Sequence, residues 1–423
     1  MERIYSSAPL FFGASKEAPT TFCVRFLMAD PIDGELLRHA LREAIARYPY
    51  LSVQVEMEAG WYILRENPAP IPVYEGTHTL PLGGKAANGH LMSFSYCGCA
   101  LRVDMFHGLT DGRGFLRLLR TVFYYYCTEK YGPLPCADGI ALKGNPIPEA
   151  EILDPYPENV DESILPMGRY TGKAAAQLFP KGKKGTWNSI ISIPEDAFVR
   201  FSKQQDGSPA VVTALLMARA VRTVLGETEK PIVCGMAMDA RPVLQKPEAH
   251  HSVVSQLFLE YGKKMEKMDL IHQVTAFRGM VILQSQPENV LTSVRNNIRF
   301  IRKLEELPDL STRKTFMAGV MKRAMHSDTF KVSYVGSQSM GPADPYIESS
   351  LPAFIDITGA GAMLEVCAFK GRLSINFLQE SDDERYLHAF LRELETAGIQ
   401  AAATPLAPFS IANIDFCGAG EQE

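Results

Sequence analysis

A chain of 423 residues is too long for one comfortable hydrophobic core and suits two domains of about 200 residues each. Hydrophobic residues make up 46% and charged residues 22%, with a formal net charge of −5, so nothing points to nucleic acid or an anionic membrane as partner. The start, MERIYSSAPLFFGASKEA, lacks the basic region and apolar run of a signal peptide, and no stretch approaches the roughly 18 apolar residues of a membrane span. Among the eight cysteines the only close pair is Cys97-Gly98-Cys99, a spacing that fits neither a redox pair nor a zinc knuckle. The expectation is a cytoplasmic protein with reduced, mostly buried thiols.

Taken in chain order, residues 22–29 read as a strand. Asp33 then caps a helix whose stripe of Leu37, Ala40, Leu41, Ala44, Ile45 and Tyr48 stops at Pro49. Two short strands follow, 51–55 and 61–64, with Gly60 in the turn between them. Further on, Leu101, Val103 and Met105 alternate with Arg102, Asp104 and Phe106, the period-two pattern of a half-buried strand that runs into His107. Gly108-Leu109-Thr110-Asp111-Gly112 turns the chain. From Gly114 the period changes: Phe115, Leu118, Leu119, Val122, Phe123 and Tyr126 sit three and four apart, as on a helix ending near Tyr131. His107 therefore stands where a strand hands over to a helix, a place where a side chain is held rigidly yet faces a cavity.

Residues 132–186 are rich in proline, acids and glycine, and read as a long loop or inter-domain crossing. They end in Lys181-Gly182-Lys183-Lys184-Gly185, for which a solvated linker is a simpler reading than a phosphate contact. The second half restarts with a strand at 190–193. Ser208-Pro209 opens a helix with the stripe Val212, Leu215, Leu216, Ala220 and Leu225. A strand over 231–238 leads into Asp239-Ala240-Arg241-Pro242. Helical patterns occupy 265–285, 288–305 and 311–326; strands are expected at 331–336, 354–357, 363–369 and 373–377, and a closing helix at 383–397. The tail after Ala403 shows little periodicity, and its last residues are expected to be mobile.

The arrangement Phe106-His107-Gly108-Leu109-Thr110-Asp111-Gly112, with a strand before it and a helix after, resembles the His-His-x-x-x-Asp-Gly motif of the CoA- and carrier-dependent acyltransferases. That superfamily includes chloramphenicol acetyltransferase, alcohol acetyltransferases, plant BAHD transferases and peptide-synthetase condensation domains. Phe106 stands where the family has its first histidine, and His107 matches the second, which does the chemistry. The order of strand, helix and hairpin over residues 20–130 resembles the opening of the condensation and alcohol acetyltransferase families as well. The resemblance implies an α/β, two-domain chloramphenicol-acetyltransferase-like fold, pseudo-duplicated, with a tunnel at the domain interface and subdomains at 1–180 and 181–423.

It also implies roles. An imidazole titrating near neutrality suits His107 to take a proton from an acceptor hydroxyl or amine as it attacks a thioester. Asp111 would turn back into the protein and pair with Arg241, because Asp239-Ala240-Arg241 matches the family's Asp-x-Arg stretch; this partly buried pair would link the halves. Ser333, in a stretch similar to a motif of bacterial alcohol acetyltransferases but with Tyr334 in place of its Asn, is a candidate substrate contact, as is Gly112. The missing Asp-Phe-Gly-Trp-Gly sequence argues against a plant-type enzyme. No metal site is expected, since His250-His251 are neighbours on an irregular loop. Ser337-Gln338-Ser339-Met340-Gly341 misses the hydrolase elbow by its first glycine, and the Gly341-Pro342 that follows cannot begin the required helix.

The implied function is transfer of an acyl group from acyl-CoA, a co-substrate and not a bound cofactor, to a small alcohol or amine acceptor. A carrier-dependent, condensation-type enzyme with an acyl carrier protein as partner, and a non-catalytic relative that binds a ligand in the same tunnel, are the alternatives.

Overall fold

The computed structural model describes residues 2–156, 175–178, 181–324 and 327–416. Much of the proline-rich crossing, the end of the helix expected to reach 326 and the last seven residues lie outside them.

Two sheets carry the architecture. The first has the strand order Ile347–Ile355, Thr21–Met28, Ala100–Phe106, Met92–Cys97, Val73–Glu75. Helices Gly34–Ile45 and Gly112–Tyr131 pack together against it, with Phe26 of the sheet edge-on to Phe123 at 4.8 Å between ring centroids. The first helix starts where expected: the Asp33 carboxylate accepts from the Glu35 and Leu36 amides at 2.9 and 3.1 Å.

The second sheet runs Val254–Tyr261, Ile232–Asp239, Phe330–Ser337, Ala362–Phe369, Arg372–Ser381, Lys184–Pro194, with short tail strands at its edge. Its three middle members, Ile232–Asp239, Phe330–Ser337 and Ala362–Phe369, are mutually parallel. Alternation along them separates two environments. Met236, Val332, Leu364 and Val366 join the core built on the nearly all-apolar helix Pro209–Leu225, whereas Ala237, Ser333, Met363 and Glu365 line a cavity. Ser208 caps that helix, as the Ser-Pro signal predicts.

The chain thus has the mixed α/β fold expected, with two sheet-containing bodies. The bodies do not divide cleanly at 180/181, however. The strand Ile347–Ile355 leaves the second half to pair antiparallel with Thr21–Met28 in the first sheet. Val290, Ile298, Ile301 and Leu304 of helix Pro287–Glu305 also bury in the first core, together with Ile414 and Phe416 of the tail. Their apolar stripes belong to the hydrophobic surface of the first body, whatever their place in the chain.

The sequence-based expectation lacks helices Ala8–Gly13 and Glu195–Gln204 and strands Val73–Glu75, Met92–Cys97 and Val254–Tyr261, among others. The strand expected at 354–357 is longer and earlier, at Ile347–Ile355. Its pattern is broken by two register shifts against Thr21–Met28, which disguise the alternation. Among the seven described cysteines, all free, Cys23, Cys127, Cys234 and Cys367 are buried but Cys97 and Cys136 are exposed. Among the described residues no single helix is long and apolar enough to cross a membrane.

Candidate functional site

His107 follows directly on the strand Ala100–Phe106, where its amide donates to the Thr20 carbonyl at 3.0 Å. The imidazole packs edge-on against Phe22, 5.1 Å between centroids. Its buried Nδ1 has no hydrogen-bond partner. Burial holds the imidazole below its ordinary pKa, with its own carbonyl and Asp111 opposing weakly, so the ring is a neutral base at neutral pH.

Phe106, where the motif has its first histidine, points the other way. It is fully buried against Phe11 and Phe416, 4.8 and 5.0 Å between centroids. Strand alternation puts it on the opposite side from His107, so this position is core.

Asp111 caps the helix Gly112–Tyr131: its Oδ1 accepts from the Arg113 and Gly114 amides, each at 3.1 Å. The Gly112 amide is left uncapped, and Gly112 lines the cavity. The same carboxylate meets Arg241, whose Nη2 lies 2.9 Å from Oδ1 and 2.8 Å from Oδ2, and accepts the Val253 amide at 3.3 Å. Arg241 also donates to Asp239 at 3.1 Å and to the Ala249 and His251 carbonyls at 2.9 and 2.7 Å. Burial by itself would depress the guanidinium pKa, but Asp111 and Asp239 outweigh it and hold it above its ordinary value. The structure therefore brings Asp111 and Arg241 together across the halves, and buries them more deeply than the sequence suggests: Arg241 is 1% exposed.

The loop after Arg241 is held against the histidine turn. Thr110 Oγ1 donates to the His250 carbonyl at 2.6 Å. A Cβ on Gly114 would fall 2.6 Å from the same oxygen, so only glycine fits there. The His250 and His251 rings stack 3.9 Å apart, and each bonds a backbone carbonyl of the short helix Glu149–Ile152, at 2.7 and 3.1 Å. They anchor the loop.

Between the sheets lies a cavity of about 1140 Å³. His107, Asp111 and Gly112 reach it from the first body; Asp239, Arg241, Ser333 and Glu365 reach it from the second. Its walls are otherwise largely apolar, including Phe22, Phe115 and Met363. The Lys181–Gly185 cluster is outside this lining, exposed where the strand Lys184–Pro194 begins. Ser339 is outside it too, its hydroxyl donating to Asp344 at 2.5 Å.

Two features escape the sequence reading. Arg47 and Glu151, both buried, form a two-pronged pair at 3.1 and 2.8 Å in the cavity wall, joined by Tyr50. Glu365 is 3% exposed, bonded through Ser333, and burial pushes its carboxyl up to about 8. The signal for Glu365 was present: a lone carboxylate inside Met363-Leu364-Glu365-Val366-Cys367-Ala368-Phe369 demands a partner or a proton.

No protein-family model matches the chain, and no curated protein matches it in sequence. Solved structures do match its fold. Polyketide synthase associated protein 5 from Mycobacterium tuberculosis superposes with a TM-score of 0.63 at 15% identity, over 94% of this chain and 97% of that one. TRI101 of F. graminearum, complexed with coenzyme A and T-2 mycotoxin, gives 0.61 at 12% identity, over 95% and 99%. TRI3, the trichothecene 15-O-acetyltransferase from Fusarium sporotrichioides, gives 0.59 at 12% identity, over 94% and 95%.

Proposed function

We propose that the chain, whose mixed α/β fold is shared by TRI101, TRI3 and polyketide synthase associated protein 5, is a CoA-dependent acyltransferase that moves an acyl group from acyl-CoA to a small alcohol or amine. The observation that carries this reading is His107, held neutral by burial and lining a cavity that both bodies enclose. The chemistry follows from that geometry. The His107 imidazole takes the proton from the acceptor O–H or N–H as the heteroatom adds to the thioester carbonyl. The tetrahedral adduct collapses, the C–S bond breaks, and the imidazolium returns the proton to the departing thiolate. The Gly112 amide, at the start of the helix and in the cavity lining, is the backbone donor we assign to the developing oxyanion.

Asp111 and Arg241 act at one remove. They fix the helix start and the loop from Ala249 to Val253, and so the turn that presents His107. With Phe106 in the core, the single histidine suffices for the base.

Two observations on related folds support the donor. TRI101 was crystallised with coenzyme A, which favours free acyl-CoA. A nonribosomal peptide synthetase shares the fold as well, and keeps a carrier-bound thioester as the second reading. The test is thiol release from a panel of acyl-CoAs offered with mixed alcohols and amines, beside His107→Ala. Acceptor-dependent release, lost in a variant that still folds, supports the reading. Release that survives the substitution removes His107, and no release with no thermal shift on adding CoA turns the search to carrier-bound donors or to a purely binding role.

A further inference from the structure

Six acidic side chains are buried among the described residues: Asp104, Asp111, Glu151, Asp328, Glu365 and Asp383. Five have a cation: Arg102, Arg241, Arg47, Lys331 and Arg385, at 2.6 to 2.8 Å. Glu365 has none, and its interaction is with the neutral Ser333. It is also the one of the six that faces the cavity from the middle of the second sheet, next to Ser333 on the neighbouring parallel strand.

A second unmet group adjoins it. Asn376 is the register partner of Glu365 on the strand Arg372–Ser381, so both side chains leave the same face of the sheet. The Asn376 side chain is fully buried; its Nδ2 donates to the Ala353 carbonyl at 3.0 Å, but its Oδ1 has no partner. Buried acceptors are seldom left unmet, because an unbonded one forfeits its hydration for nothing. Glu365 and Ser333 thus offer a carboxyl and a hydroxyl to the cavity, while Asn376, their neighbour in the sheet, is outside its lining. Without a cation the buried carboxyl keeps its own proton, and the partner that would let it ionise is a cationic donor arriving from the cavity. A primary ammonium has three N–H donors and no acceptor, which matches this set; a hydroxyl supplies a single donor.

We propose that Glu365 and Ser333 form a subsite for a primary ammonium group on the acyl acceptor, so that the preferred acceptors carry a cationic amine away from the reacting heteroatom. Glu365 completes in the complex the ion pair that each other buried carboxylate already has within the chain. The lining of one cavity by both Glu365 and His107 gives the reacting and recognised ends of the acceptor separate walls. The assignment of substrate class rests on the transferase reading; the cation subsite itself does not.

The experiment measures calorimetric binding, and thiol release with acetyl-CoA, for a series of ω-amino alcohols against n-alkanols of the same chain length. The proteins are wild type, Glu365→Gln and Ser333→Ala. Glu365→Gln preserves shape and neutrality, and thermal unfolding checks that it folds. The expected result is a preference for the amino alcohols that falls about thirtyfold or more in Glu365→Gln, as for loss of a buried charge partner, read as the ratio of the two series in affinity and in KM. Equal binding of amino alcohols and alkanols by the wild type overturns the subsite. So does a preference that survives Glu365→Gln, or a loss that affects both series alike. Amine-selective binding without thiol release from any donor would retire the transferase reading and leave the subsite standing; alkanol acylation without amine preference would do the reverse.

Discussion

The two walls of the cavity treat a buried carboxyl in opposite ways. On the wall of the first body, Asp111 is saturated: two helix amides, the Val253 amide and the Arg241 guanidinium occupy its oxygens. On the wall of the second, Glu365 has a serine and no cation. The difference teaches what each is for. A carboxylate so fully compensated has nothing left to offer a ligand and acts as a rivet between the halves. A carboxyl left short of a partner keeps its binding capacity for something that arrives from outside.

Four changes break or sharpen that contrast. His107→Ala, beside the rivet but not part of it, should cost turnover about 10²- to 10⁴-fold, the usual worth of a general base, while the urea midpoint stays close to wild type. Arg241→Leu should strand the Asp111 charge and destabilise by about 3–5 kcal/mol in urea unfolding. The double variant Asp111→Leu with Arg241→Leu should recover part of that loss, because the stranded charge goes with it. If the single and double variants are equally unstable, the pair is worth no more than its packing.

Glu365→Gln should flatten the pH dependence of stability by at most about 1.4 kcal/mol per pH unit across the titration window that follows, the scale set by one proton. The sign is fixed by the direction of the shift. The carboxyl rises from an ordinary 4.5 to about 8 in the folded chain, so between those values the unfolded state is ionised and the folded state is not. Stability from this group is complete below pH 4.5 and is lost as pH rises through about 8. The wild type should therefore lose stability across that window, and Glu365→Gln should lose less of it.

The smallest effect lies on the acid side. His90, His107 and His250 are all held below their usual 6.5 by burial, His250 furthest with His251 beside it. Their neutral forms fit the fold, and the unfolded chain takes up protons below pH 6.5, so stability falls as pH drops through the depressed values. Thermal unfolding followed from pH 5 to 8.5 in both proteins separates the contributions: Glu365→Gln should remove the loss of stability with rising pH across the window and leave the histidine-driven fall at low pH. Turnover that depends on a neutral His107 should likewise persist to a lower pH than a free histidine would allow.

Local signals made much of this protein legible in its sequence. Asp33 and Ser208 mark helix starts because a side-chain oxygen beside an amide row has a local job that needs no tertiary partner. The change from period two to a helical period around His107 located the turn, and Asp239-Ala240-Arg241 drew attention to the residue that meets Asp111. What pairing over long stretches of chain decides was beyond such patterns. No local rule sends Ile347–Ile355 into the sheet of Thr21–Met28, or leads Arg47 to Glu151.

The sequence by itself determined the strand–turn–helix that presents His107, the mixed α/β character and the apolar stripes that build two cores, since these follow from periodicity and capping within a few residues. Only the tertiary structure decided which charges would find partners. A buried charge is compensated or not according to what lies across the cavity, and that is a property of distance in space. Asp111 stands in a glycine-rich turn and Glu365 in an apolar strand, and nothing in either stretch says that folding brings an arginine to the first and leaves the second facing an open cavity.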